Sequence, residues 1–167
     1  MRETVAEEIK QICVAVMSFP DKMIFPKTMH TETKICGLMM KADYCRYMAE
    51  LSSGNKRSEF ASTALKIYQE ASDMARLHLS TTNTVRLNLA LNFSVLYYDI
   101  LNSSRSACLI AKQAFDEAIL DIESIHEDSI EITTKIMKSL TDNLSLWDGG
   151  HEEMQHAPNN MNDDDDI

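Results

Sequence analysis

The sequence predicts an all-α fold, and three observations carry that expectation. Only four Gly and three Pro punctuate 167 residues, whereas sheets need turns every few residues. Apolar residues recur at steps of three and four through most of the chain. The most apolar long run, residues 84–101 (TVRLNLALNFSVLYYDIL), contains neither Gly nor Pro and is too long for an ordinary strand. A helix apolar on most sides is one that neighbours surround, so this run is expected at the centre of an antiparallel bundle of about six helices. The length and 44% hydrophobic content suit a single domain over 1–148, followed by an acidic disordered tail over 149–167.

Taken in order, residues 3–19 carry Val5, Ile9, Ile12, Val16 and Phe19 at helical spacing, with Glu7, Glu8 and Lys10 opposite. Pro20 then stops or kinks the helix, since an internal proline removes a donor and costs about 3 kcal/mol. Met1 already stands in the helical pattern without a cap, which predicts that upstream residues are absent. Thr31 or Thr33 can cap a second helix to about Leu51, with Ile35, Leu38, Ala42, Cys45 and Ala49 as its apolar stripe and Met39, Asp43, Arg46 and Glu50 opposite. A turn at residues 52–55 leads to a third helix marked by Phe60, Ala64, Ile67, Ala71 and Met74 and ending near His78. Ser80, Thr81, Thr82 and Asn83 form the loop into the central helix.

Within that helix, Asn88, Asn92, Val95 and Asp99 share one face, with Leu91 beside them, and Ala90, Phe93, Tyr97 and Leu101 share another. The first face is suited to line a groove. Asn102 to Ser104 make a tight connection, with Ser103 or Ser104 capping a helix whose stripe is Ala107, Ile110, Ala114, Ala118 and Ile122. Asp128 and Glu131 form a capping-box pattern for the last helix, which carries Ile132, Ile136, Leu140, Leu144 and Trp147 and stops at Gly149 and Gly150.

The composition narrows the chemistry. A formal charge of −10 disfavours nucleic acid or an anionic membrane as a general partner. Asn88, Asn92 and Asp99 within the apolar run argue against a membrane span. Four scattered cysteines without a CxxC, and no signal-peptide pattern, predict reduced thiols in a cytoplasmic protein. HEEMQH at 151–156 has one residue too many to place two histidines on one helical face, so no metal is expected. No phosphate loop, nucleophile elbow or acid/base pair supports an enzyme, and no cofactor is implied. Arg46 has Asp43 at i−3 and Glu50 at i+4. It reads either as an exposed arginine in two weak pairs or as a guanidinium held rigid to receive a phosphate, with Lys41 or Tyr47. Asn92 and Asn143 read either as surface amides or as contacts to a bound peptide backbone.

Four segments resemble the 14-3-3 proteins. They are ETK and MKADYCRYMAEL between Glu32 and Leu51, RLNLALNFSVLYYDILNS from Arg86, ACLIAKQAFDEAI from Ala107, and DNLSLW from Asp142; the likeness extends over about residues 5–147. It implies the C-terminal two thirds of the 14-3-3 bundle and a non-catalytic adaptor whose groove takes phosphoserine or phosphothreonine peptides. By match of motif, Arg46 and Tyr47 contact the phosphate and Asn92 and Asn143 bond the peptide backbone. Lys41, Leu91, Val95, Asp99, Ile136, Leu146 and Trp147 complete the groove. The departures imply weakened binding: three further helices, with two basic residues of the phosphate pocket and most of the dimer contact, are expected to be missing. Asn88 replaces a usual glycine, Met39 a usual lysine, and Lys135 and Ser139 usual groove leucines. The partners implied are phosphorylated client proteins and, for dimerisation, a complete relative. The alternatives are a phosphate-independent helical docking module or a non-functional truncated paralogue.

Overall fold

The computed structural model describes residues 30–154, with side chains to Asp148, together with Glu8 and Gln11. The expected helix over 3–19, its break at Pro20 and the tail beyond Met154 otherwise lie outside the described residues. Those residues form five α-helices and no strand: α1 (Thr31–Glu50), α2 (Gly54–His78), α3 (Thr84–Val95), α4 (Ser104–Leu120) and α5 (Ile130–Met154). The all-helical bundle expected from the composition is what forms.

The expected stripe of α1 is buried in full, but Met39, Arg46 and Met48 are buried as well, so the face expected to be open is partly enclosed. Its cap differs from expectation. His30 stands at the N-cap without a side-chain bond, because Thr31 already lies inside the first turn and its hydroxyl is past the capping position. Gly54 begins α2 at φ +56, a left-handed conformation that glycine adopts without a side-chain clash. The buried face of α2 is Ala61, Ala64, Tyr68, Ala71 and Ala75, alternating steps of three and four. This face is rotated slightly from the expected stripe, leaving Phe60, Ile67 and Met74 partly buried at its edges. Its small side chains let α1 approach, and α1 with α2 is the most extensive helix pair.

Asn83 caps α3, its Oδ1 accepting from the backbone N–H of Val85 at 2.8 Å and of Arg86 at 3.2 Å. The central position expected for this segment is observed. Leu89, Phe93, Leu96 and Ile100 enter one core with α1 and α2, while Leu87, Leu91 and Val95 enter a second with α4 and α5. Two cores on opposite sides account for the all-round apolarity. The regular α-helix, however, ends at Val95, and Leu96–Ile100 form a π-turn closed by Leu101 N–H donating to Leu96 O at 3.1 Å. From this wide turn Tyr97 packs on Phe93 and Tyr98 stacks on Trp147. Asn102 then reverses the chain at φ 51, a region where asparagine is favoured among non-glycine residues.

On α4 the buried residues are Ala107, Ala111 and Ala118; the helix ends before Ile122, which is exposed in a short 3-10 turn (Ile122–Ser124). Ser103 makes no backbone cap, its hydroxyl donating to Ser106 Oγ at 2.9 Å instead. The capping box expected at Asp128 is replaced by a second 3-10 turn, Glu127–Ser129, where the His126 ring accepts from Asp128 N–H. Glu131 pairs forward with Lys135 at 2.6 Å rather than reaching back. Thr133, Met137, Leu140 and Trp147 form the buried stripe of α5, and Ile132 faces outward. Gly149 and Gly150 do not end α5, which continues to Met154. Each internal glycine costs about 1 kcal/mol against alanine, a penalty that cooperative helix propagation can absorb.

Candidate functional site

The densest polar cluster among the described residues lies where α1, α2 and α3 meet. Asp43 and Arg46 are one turn apart on α1, with Glu50 a turn further, so helix geometry alone places both carboxylates beside the guanidinium. Arg46 Nη1 donates to Glu50 Oε1 at 3.0 Å, and Nη2 stands 3.9 Å from Asp43 Oδ1. Both expected pairings are present, yet Arg46 is only 8% exposed, so the reading of an open surface arginine is overturned. Burial follows from α2, which brings Tyr68 against it: Arg46 Nε donates to the Tyr68 hydroxyl at 3.5 Å, and that hydroxyl donates to Asp43 Oδ1. From α3, Asn92 Nδ2 donates to both Asp43 oxygens, at 3.2 and 3.1 Å. Tyr47, 40% exposed, has the Arg46 guanidinium carbon 4.5 Å from its ring centroid, within cation–π range.

Burial pushes the Asp43 carboxyl above its ordinary value, outweighing the Tyr68 hydrogen bond, the Arg46 charge and the Asn92 hydrogen bond, which act the other way. The Tyr68 phenol is also pushed up, first by burial and then by the Asp43 charge, so it keeps its proton and serves as the donor. Burial works against the charge on Arg46, but the Tyr68 oxygen and the Asp43 carboxylate more than offset it, raising its pKa further. The site is therefore a permanent cation held by hydrogen bonds, with the exposed Tyr47 ring beside it.

The remaining sequence-predicted residues are distributed as follows. Lys41 is half-buried on α1. Leu91, Val95 and Ile136 are half-buried against the second core, in contact with the cluster that contains Trp147. Trp147 is 4% exposed and stacks on Tyr98 with centroids 4.9 Å apart, so it lies inside the second core rather than on an open surface. Asn143 is half-buried two turns beyond Ile136, on the same face of α5. Asp99 is exposed in the π-turn, where its backbone oxygen accepts from Arg57 Nη2 at 3.4 Å. Leu146 is 69% exposed and stands outside both cores. Arg46, Tyr47 and Asn92 are thus brought together by one network, whereas Asp99 and Leu146 are not part of it.

Sequence reasoning missed Tyr68. Its signal was a lone phenol in an alanine face, since a buried tyrosine hydroxyl ordinarily finds a polar partner. Among the described residues no group of His, Cys, Asp and Glu is arranged to hold a metal ion, and no described helix is long and apolar enough to cross a membrane.

Residues 1–148 match the family model "14-3-3 protein". The chain is 43% identical over 159 residues to 14-3-3 protein homolog 2 of Schistosoma mansoni, covering 94% of this chain and 74% of the relative. It is 46% identical over 146 residues to 14-3-3-like protein 2 of Caenorhabditis elegans and 44% identical over 146 residues to 14-3-3 protein zeta of Bombyx mori. In both cases 87% of this chain and 59% of the relative are covered, so it spans about three fifths of those proteins. On the family match over residues 1–148 and the identity to these relatives, the chain belongs to the 14-3-3 family.

Proposed function

We propose that this chain is a phosphopeptide-binding adaptor without catalytic activity, acting on phosphorylated client proteins in the cytoplasm. The observation that carries the reading is the Arg46 network: a cation held by Asp43, Glu50 and Tyr68 has little orientational freedom left to lose on binding. In this reading Arg46 and Tyr47 receive the phosphate, and Asn92 and Asn143 bond the peptide backbone. Lys41 and Asp99 act at the edges of the groove. Leu91, Val95 and Ile136 form an apolar wall backed by Trp147, with Leu146 at its open end. Residues 1–148 are the binding domain and 149–167 an acidic segment whose first residues continue α5 to Met154.

The charge balance favours modest affinity. Within the cluster one guanidinium faces two carboxylates, so a phosphate dianion competes with Glu50 for Nη1. Dimerisation with a longer relative is a route to avidity. A second reading, phosphate-independent docking, is favoured by the exposed Leu120, Ile122, Ile130 and Ile132 around the α4–α5 connection. The experiment is a titration of the purified chain, at low salt, with a phosphoserine peptide and its unphosphorylated twin, with circular dichroism on the same sample. Preference for the phosphopeptide is the expected result. Equal binding of both peptides by helical protein would replace the proposal with the docking reading.

A further inference from the structure

Asp43 is the point at which three helices share one carboxylate: the Tyr68 hydroxyl from α2 and the Asn92 amide from α3 both donate to it, and Arg46 on α1 stands 3.9 Å away. We infer that Asp43 is a positioning residue that couples the phosphate and backbone halves of the groove, and that it decides which end of the Asn92 amide a ligand meets. The inference rests on the phosphopeptide reading above and goes beyond it by assigning a role to a residue that does not itself touch the ligand.

The chemistry is directional. An ionised carboxylate only accepts, so the Asn92 NH2 turns toward it, and the two bonds at 3.2 and 3.1 Å hold it there. The carbonyl end is thereby turned away from Asp43, ready to accept from a peptide N–H. The same carboxylate orients Tyr68, whose oxygen receives Arg46 Nε, so the orientation of the guanidinium is linked to that of the amide. A carboxylate is a costly choice for packing alone, because burying its charge disfavours the ionised form, and a neutral side chain of similar shape would avoid that cost. An orienting role accounts for the charge.

The test compares wild type with Asp43→Asn, Asn92→Ala, the double variant and Tyr68→Phe. The ligands are a phosphoserine peptide, its unphosphorylated twin, and a series N-methylated at each peptide bond flanking the phosphoserine. Asp43→Asn can turn its own NH2 toward residue 92 and let that amide flip. It is expected to weaken phosphopeptide binding about tenfold and to lose the wild-type penalty for N-methylation. The double variant is expected to bind within twofold of Asp43→Asn alone, the non-additivity of residues acting as one unit. Tyr68→Phe should shift binding in the same direction by less. Multiplying losses, or an unchanged N-methylation penalty in Asp43→Asn, would overturn the inference. Side-chain amide NMR of the free proteins separates the two readings. If wild type shows no phosphate preference, the proposed function fails, and the Asn92 NH2 resonances still decide the role of Asp43. A changed shift and faster exchange in Asp43→Asn support it, and unchanged resonances in a folded variant reject it.

Discussion

Replacing Arg46 should separate the stability of this bundle from its binding. Arg46 is 8% exposed, and its guanidinium bonds Glu50 at 3.0 Å and Tyr68 at 3.5 Å and stands 3.9 Å from the Asp43 carboxylate. Breaking a buried ion pair by removing one partner costs about 3–5 kcal/mol. Here the Tyr68 and Asn92 donors still solvate Asp43, and Glu50 faces partly into water, so Arg46→Ala should cost about 2 kcal/mol. At about 2–4 °C per kcal/mol for a chain of this size, the melting temperature should fall by about 4–8 °C with the helix content of the folded state retained. Arg46→Lys keeps the charge but loses the planar fork. It should melt closer to wild type and still bind a phosphoserine peptide about ten- to a hundredfold more weakly, the equivalent of one lost charge-assisted bond of about 1.5–3 kcal/mol. Fluorescence anisotropy with the labelled peptide, beside thermal unfolding followed at 222 nm, gives both numbers. Wild-type affinity in Arg46→Lys would remove Arg46 from the phosphate site, and an unchanged melt in Arg46→Ala would show that the network does not contribute to the fold.

The other sites give smaller effects. Because the folded-state pKa of Asp43 is raised, the folded protein binds this proton more readily than the unfolded chain; its favourable contribution is full below the unfolded value and is lost as pH rises through the raised one. Wild type should therefore gain stability relative to Asp43→Asn as the pH falls from 7 toward 4, read from urea midpoints, and parallel pH profiles would contradict the assignment. Asn83→Ala removes the acceptor for Val85 and Arg86 N–H and should lower stability by about 1 kcal/mol, measured by denaturant unfolding. The Thr133 hydroxyl is fully buried and has no hydrogen-bond partner among the described residues, so Thr133→Val, similar in shape and without the polar group, should raise the melting temperature by a few degrees, or about 1 kcal/mol. A lower melt would mean that the hydroxyl is satisfied.

The helices themselves were legible because their signals are local. Ile35, Leu38, Ala42, Cys45 and Ala49 point one way on any α-helix, and the same stripe is buried in the fold. Their ends were less so. Thr31, Thr33 and the Asp128–Glu131 pair all have capping chemistry, but a cap forms only where the chain enters at the right angle, and that angle is set by what the helix packs against. The π-turn at Leu96–Ile100 has no Gly or Pro to announce it; it coincides with two adjacent tyrosines that are packed toward different partners. The assignment of Arg46, Tyr47, Asn92 and Asn143 to a ligand came from family likeness, since spacing alone left each open.

By itself, the sequence determined an all-helical chain, the central place of the segment at 84–101, and the proximity of Arg46 to Asp43 and Glu50, because contacts at i±3 and i±4 follow from the rise and twist of one helix. The tertiary structure alone decided that Arg46 is buried rather than exposed, and that Tyr68 and Asn92, 25 and 49 residues from Asp43, converge on its carboxylate. The physical reason is that such contacts depend on how α2 and α3 are rotated about their own axes when they pack, a quantity set by the whole alanine-lined interface and by two cores at once.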